Sequence, residues 1–576
     1  MTNDQLARMT EEEDGFDHLL TKLGFGPWQG ITLVTTFLVA MILPSHLIGS
    51  PLVSAPVPFR CFTDALSLDD WPQSLPYREG KETMNSTRKY FNGRCLELSN
   101  LSVTQEDTPA HRTFFRHRTY MSSCPYIEYD NTIFSATIVS EFHLVCDELH
   151  LQPFYQMLFN VGGILGSFIG GHIGDRFGRR RAVQIGCIAN ILSVLGTTLV
   201  PVYSFILVMR IITGCTCIGT LIPAWNMVLE STPSKHRSLV GMLSGLPYSV
   251  SVVAFAGVAY CIRTWRYLML VCASPALLLL PLSMIVDESP RWLVQQGRAT
   301  EATLVLQKAA RQNSAKLSRN VDALVNNILE ANKHKNDVAQ DTTSSEFLAT
   351  MKQIYDYIRS PGMRTILLAA SLLWFLQSGV YLGVALNANN FTSTDPFLYV
   401  ALTGIMDGTA VLLTTPLTLY LGRRTIVGLG LCVGGILLLL DLLVPMDYYW
   451  IKWILVMAGF LMVAGAFQVN YVYAPELFPT EARTRGFAFV NMMGSIGFMC
   501  APLVTTLVAP YAWWAASVIF GCSGIIGSLM VAFLPETSNQ PLPETLRDVE
   551  VRRIQSKSKE KGTVNKGYET GGESRI

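Results

Sequence analysis

The chain has 576 residues, half of them apolar and 15% charged, with a formal net charge of +1. A balance so close to zero gives no hint of a nucleic-acid or acidic partner. The apolar residues arrive in blocks of about 20, the length that crosses ~30 Å of hydrocarbon, and so predict an all-α polytopic membrane protein rather than a soluble one.

In chain order, residues 1–26 are expected to be a cytosolic N-terminus: Glu11, Glu12, Glu13 and Asp14 stand where a cleaved signal would need a basic start. Twelve spans are predicted near 27–49, 154–174, 182–201, 204–228, 238–262, 265–286, 364–386, 397–420, 425–445, 449–474, 486–508 and 511–534. Basic residues choose the orientation. Arg176, Arg179, Arg180 and Arg181 follow span 2, Lys235 and Arg237 follow span 4, Arg423 and Arg424 follow span 8, and Arg483 and Arg485 follow span 10. The alternate loops carry few positives, which predicts that both termini are cytosolic.

The long loop after span 1, about 50–145, is then extracellular. It contains Cys61, Cys95, Cys124 and Cys146 and glycosylation sequons at Asn85 and Asn100; a third, Asn390, lies between spans 7 and 8. All fall on the oxidising side. The four cysteines are disulfide candidates whose pairing the spacing leaves open, and the other eight are read as packing residues. Residues 287–363 form a cytosolic insert in which "VDALVNNILEANK" has helical apolar spacing, so short amphipathic helices are expected. Residues 535–576 are expected to be a disordered cytosolic tail.

The chain repeats itself. Glu230 and Arg237 bracket Pro233 as Glu476 and Arg483 bracket Pro479, both in the pattern E-x2-P-x3-R. Gly178-Arg-Arg is matched by Gly422-Arg-Arg, and Glu288-Ser by Glu536-Thr. The offsets are 246, 244 and 248 positions. Residues 27–286 and 364–534 are therefore two six-span halves in parallel, an arrangement suited to a mid-membrane site and alternating access.

Span 8 carries Asp407 near its midpoint, where a lone carboxylate needs a partner or water. It can be a counter-ion for a cationic or zwitterionic ligand, a protonatable coupling group, or an acid satisfied by another helix. Gly408 beside it permits close approach of a ligand or helix. Arg210 in span 4 is the clear intramembrane guanidinium of the first half, a gating group or one bonded to backbone carbonyls. Asp441 is read as a solvated end of span 9. Neither a zinc-protease motif nor a Walker loop occurs in the sequence, so no enzyme activity, cofactor or metal is expected.

The stretch "GGHIGDRFGRRR" (170–181) resembles the signature of the major facilitator superfamily, and "DESPRWL" (287–293) with "LPET" resembles its sugar-porter and organic-ion branches. With the large first loop, "EFHLVCD" and "LPETSNQPLPET", the chain is similar to the organic cation/anion/carnitine transporter family. That resemblance implies a carrier of small organic ions in the plasma membrane, with a coupling ion or exchanged solute. A cation or zwitterion is favoured over an organic anion, a sugar or a transport-inactive receptor.

The resemblance also assigns residues. Asp407 would hold substrate, with Trp374, Phe375, Gln377 and Tyr381 of span 7, Gln468 and Tyr471 of span 10 and Ser495 of span 11. Ser495 stands where cation carriers have an aspartate and anion carriers an arginine, and Phe460 replaces a common basic residue. Gly171, Asp175, Arg176, Gly178, Arg179, Arg180, Glu230, Arg237, Glu288, Arg291, Arg423, Arg424, Glu476, Arg483 and Glu536 would join Arg210 in gating, as a charge-assisted latch between the cytosolic ends of the halves.

Overall fold

A computed structural model describes residues 16, 19–62, 126–315, 325, 359–387, 395–479, 483–509, 512, 514–538, 543, 546 and 549–550. Among these, twelve helices are long and apolar enough to cross a membrane. They are Pro27–Leu47, Glu148–Phe177, Arg179–Leu199, Tyr203–Ser231, Leu239–Cys261, Trp265–Ile285, Pro361–Leu386, Pro396–Thr418, Arg423–Leu443, Tyr449–Leu477, Arg485–Val508 and Ala515–Ala532. They coincide with the twelve expected blocks and are numbered here as spans 1 to 12. In hydrocarbon a helix is the one open-chain form that satisfies every backbone group within its own segment.

The helix packing reproduces the internal repeat. In the first half, span 4 packs on spans 1, 2 and 3, span 1 on spans 5 and 6, and span 3 on span 6. In the second half, span 10 packs on spans 7, 8 and 9, span 7 on spans 11 and 12, and span 9 on span 12. Adding six to each number converts one set into the other. The halves meet through spans 5 and 8 and spans 2 and 11, which the same operation exchanges.

Small residues set the closest contacts, as expected where apolar lipid competes equally with apolar side chains. A Cβ placed on Gly162, Gly166 or Gly170 of span 2 would stand 2.0, 2.2 and 2.2 Å from the carbonyl oxygens of Ile211, Cys215 and Gly219 in span 4. These backbones therefore touch directly.

Basic residues expected in loops prove to be helical, because carboxylates occupy the helix starts. Gly178 takes φ +104°, and span 3 begins at the next residue. Glu288, just past span 6, accepts from the amides of Arg179 (2.9 Å) and Arg180 (3.2 Å) at that N-terminus, and from Ser289 (3.1 Å). An anion is favoured there by the free amides and the helix dipole. Burial pushes the Glu288 carboxyl up in pKa, with the three amide bonds and the Arg179 charge opposing. Arg179 also pairs with Glu230 (3.1 Å) and Asp175 (3.0 Å) and donates to the Gly174 carbonyl at 2.8 Å. Arg180 donates to the carbonyls of Ser283 (3.0 Å) and Met284 (2.5 Å).

The second half repeats the pattern. Arg423 pairs with Glu476 (3.6 Å) and donates to Ser538 (2.8 Å), Arg424 donates to the Ala532 carbonyl (2.8 Å), and Glu536 accepts from the amides of Thr537 and Ser538, both at 3.0 Å. Each of these pairs joins elements of the same half. These contacts therefore brace each half internally. Arg176 is exposed and Gly171 faces open space. Arg291 lies over the Phe16 ring at 5.9 Å, and Arg483 begins the span-11 helix. The side chain of Arg237 lies outside the described residues.

Three segments depart from the expectation. Residues at the two ends of the first loop pair as antiparallel strands, β1 (Phe59–Phe62) and β2 (Tyr126–Tyr129), with Phe59 opposite Tyr129. The intervening sequons Asn85 and Asn100, with Cys95, Cys124 and Asn390, lie outside the described residues, as do the side chains of Cys61 and Cys146. The other eight cysteines are free thiols.

The insert forms helices Pro290–Gln295 and Ala299–Gln312, and these hold the N-terminal segment. Phe16, Leu19, Leu20, Leu23 and Trp28 form an apolar cluster with Trp292, Leu306, Ala309 and Val325. Asn313 Oδ1 accepts from the Trp28 amide at 3.1 Å; of the "VDALVNNILEANK" stretch only Val325 is described. The tail expected to be disordered is packed in part: Val549 is buried, and Glu550 accepts from the Gly362 amide at 2.7 Å and from the Ser360 hydroxyl at the start of span 7.

Two substitutions test this architecture. Gly166→Val should destabilise by about 3 kcal/mol or more through backbone overlap with span 4, whereas Gly171→Ala should stay within about 0.5 kcal/mol; melting of the detergent-solubilised protein checks both. Glu288→Ala leaves three amides without their acceptor and should cost about 1–3 kcal/mol, with Glu288→Gln, which keeps an acceptor oxygen, losing less in the same melt.

Candidate functional site

Asp407 lies in the middle of span 8, whose start is set by Asp395, accepting from the amides of Phe397 (2.9 Å) and Leu398 (3.3 Å). The carboxylate is 1% exposed. Its Oδ2 accepts from the Ser249 hydroxyl of span 5 at 2.6 Å, and its Oδ1 from the Tyr381 hydroxyl of span 7 at 3.0 Å. The acid thus joins the two halves. Of the partner or water that a lone carboxylate needs, partners are what the neighbouring spans supply: two hydroxyls hold it.

The close approach of span 5 explains the enclosure. A Cβ on Gly408 would stand 3.3 Å from Ser249 Cβ, and one on Gly404 2.9 Å from Val253. Gly408 therefore serves helix contact. Hydroxyl donors satisfy the carboxylate's lone pairs but leave its charge unneutralised. No lysine or arginine among the described residues pairs with it.

The aromatic residues expected from spans 7 and 10 do assemble beside it. The Tyr381 ring stacks on Phe467 with centroids 4.7 Å apart and planes at 11°, and lies 5.4 Å from Phe460. Trp374 meets Tyr471 edge-on at 5.0 Å and Phe487 at 5.8 Å, and Tyr471 meets Phe467 at 5.3 Å. Gln377 accepts from Asn470 Nδ2 at 2.8 Å.

Other candidates are placed differently. The Phe375 carbonyl lies against Gly497 of span 11, where an added Cβ would stand 2.2 Å from it. Gln468 reaches toward span 5, its amide 3.3 Å from where a Gly245 Cβ would be. The Ser495 hydroxyl donates to the Asn491 carbonyl of its own helix at 3.2 Å.

Sequence reasoning missed Ser249, Phe467, Asn470 and Phe487. Ser249 stood out only as a polar residue inside an apolar run. Its partner is 158 positions away, a pairing that helical spacing cannot announce.

Arg210 lies apart from Asp407. Its guanidinium donates to the carbonyls of Tyr155 (3.1 Å) and His46 (2.9 Å) and to Gln156 Oε1 (3.4 Å), contacts His46 Nδ1 (3.3 Å), and lies over the Tyr155 and Phe159 rings at 4.0 and 4.7 Å. This is the backbone-bonded arrangement among the two weighed above. Asp441 is not a solvated span end. It is 3% exposed, 3.6 Å from the Lys452 ammonium and bonded to the Ser517 hydroxyl at 3.2 Å. The side chains of spans 9, 10 and 12 converge there, which places the charge inside the second half.

Comparison with known proteins agrees with the fold and the motifs. The profile of the "Sugar (and other) transporter" family matches residues 146–548. The chain is 29% identical over 548 residues to the "Organic cation transporter protein" of Drosophila melanogaster, covering 93% of this chain and 94% of that one. It is 31% identical over 436 residues to "Solute carrier family 22 member 20" of Mus musculus, covering 75% and 76%. Among solved structures, an inward-open conformation of the xylose transporter XylE from E. coli aligns with a TM-score of 0.55 at 21% identity, covering 72% of this chain and 91% of that one. Such identity speaks to fold alone. With its matched profile, its twelve paired spans and relatives aligned over most of its length, the chain belongs to the organic cation/anion/carnitine transporter family of the major facilitator superfamily.

Proposed function

We propose that this protein carries small organic cations or zwitterions across the plasma membrane by alternating access, with Asp407 as the counter-charge. One observation carries the reading: a carboxylate buried between the halves has hydroxyl partners but, among the described residues, no cationic one. Burying a charge is costly unless an opposite charge meets it. A ligand ammonium that enters between spans 5, 7 and 8 supplies that charge, and aromatic rings such as Trp374 and Tyr471 attract such a cation at ~0.5–2 kcal/mol each.

The same geometry supplies a means of coupling binding to movement. Ser249 belongs to the first half and Tyr381 and Asp407 to the second, so a cation that takes over the carboxylate loosens a bond between the halves. Spans 5 and 8 are then free to slide while each half stays rigid through its own basic cluster. On this reading both termini are cytosolic, the basic clusters face the cytosol, and the first loop with its sequons and four cysteines faces outward. No guanidinium among the described residues stands beside Asp407, and Arg210 is engaged by carbonyls, which disfavours an organic anion at this point.

Uptake of labelled organic cations, zwitterions and anions into cells expressing the protein tests the proposal. Cation uptake should rise as the cell interior becomes more negative, since ~2.3 kcal/mol acts on each charge per 100 mV. Asp407→Asn should lower it by about a hundredfold or more, consistent with the ~3–5 kcal/mol lost when one member of a buried pair is removed. Surface biotinylation should remain normal. Unchanged cation uptake by that variant, or uptake confined to anions, overturns the counter-charge role.

A further inference from the structure

Among the rings of spans 7 and 10, two amide side chains are left partly unsatisfied. Asn470 and Gln377 bond to each other at 2.8 Å, and each is 1% exposed. Gln377 Nε2 and Asn470 Oδ1 then have no partner among the described residues. Which amide end is nitrogen does not matter here. Rotating both groups keeps their mutual bond and leaves one acceptor on Gln377 and one donor on Asn470. In either assignment the pair offers one free donor and one free acceptor.

Unmet polar groups of this kind are costly and rare in native interiors, and they call for an explanation. Their surroundings suggest a ligand. On span 7, Gln377 lies between Trp374 and Tyr381, and on span 10 Asn470 lies between Phe467 and Tyr471, all four being rings of this cluster. Trp374 Nε1 and Ser378 Oγ, on the same stretch of span 7, also lack partners among the described residues. Tyr381, four residues from Gln377, is the residue that holds Asp407. A helix rises about 1.5 Å per residue, so the two points are roughly 6 Å apart along span 7.

We propose that the Gln377–Asn470 pair is a second recognition point of the carrier, binding a group that donates and accepts at once, a hydroxyl or a primary carboxamide. The substrate class is then a small organic cation with such a group about 6 Å from its ammonium. The inference rests on the counter-charge reading of Asp407. A carboxylate, which only accepts, leaves the pair's acceptor unmet, and a purely apolar tail leaves both atoms unmet.

Competition of a labelled organic cation by matched amines tests this: one with a terminal hydroxyl, one with a primary carboxamide, and one with a methyl group in that place. In the natural protein the hydroxyl and carboxamide amines should compete at about tenfold lower concentration than the methyl one. The double substitution Gln377→Leu with Asn470→Leu removes both amides together, so no new orphan is left. It should bring the ratio to about one by weakening the polar competitors while leaving the methyl amine's affinity in place. Asp407→Asn should weaken all three and preserve the ratio.

A ratio that survives the double substitution, with Asp407→Asn still weakening all three, overturns the second recognition point and leaves the cation reading standing; the pair then holds water. A natural protein that prefers the methyl amine has the same meaning. If none of the amines competes in the natural protein, the cation reading fails and this inference with it. Surface biotinylation separates loss of transport from loss of protein.

Discussion

Each polar atom in the hydrocarbon-spanning region must find a partner inside the protein, because no bulk water is there to supply one. The backbone meets this demand by forming helices, and the side chains meet it in several ways. Arg210 takes carbonyls of spans 1 and 2, Asp441 takes Lys452 and Ser517, and Asp407 takes hydroxyls from two neighbouring spans. These solutions differ in consequence. Asp441 has its opposite charge beside it and Arg210 is ringed by backbone dipoles, whereas the charge on Asp407 is hydrogen-bonded but not opposed.

That difference separates support from function. Glu288 is spent on the free amides at the start of span 3 and links two elements of one half, and Glu536 accepts from the two amides that follow it. The glycine contacts between spans 2 and 4 lock the first half at backbone distance. Between the halves the ties are different in kind: the packing of spans 5 and 8, that of spans 2 and 11, and hydrogen bonds such as Ser249 to Asp407 and Asn160 to the Phe498 carbonyl. Rigid halves joined by interchangeable bonds suit movement by rocking, since an interface can pass between two arrangements while cores cannot.

The wall beside Asp407 combines features that are ordinary singly. Stacked and edge-on rings fill cores throughout proteins, with favourable pair energies of about 0.5–1.5 kcal/mol. Here they stand around an amide pair with a donor and an acceptor to spare, and one of them, Tyr381, holds a carboxylate that has no cationic partner among the described residues. Aromatic faces, a carboxylate and a neutral polar point are together the complement of an amphipathic cation.

From the sequence alone, the twelve spans, the two-half repeat and the family motifs were legible, because membrane thickness sets block length and duplication leaves matched residues such as Glu230 and Glu476. Asp407, Tyr381 and Trp374 were legible as candidates, since a charge in an apolar run is costly and aromatic residues beside it invite a cation. Only the tertiary structure decided which groups meet. It buried Asp407 against Ser249, turned the basic clusters inward within each half, paired Asp441 with Lys452, packed the N-terminus on the insert and brought Asn470 to Gln377. Composition and periodicity report how one helix sits in its solvent. The partner of a buried polar atom is set by the facing helix, often a hundred or more positions away, and local spacing carries no record of it.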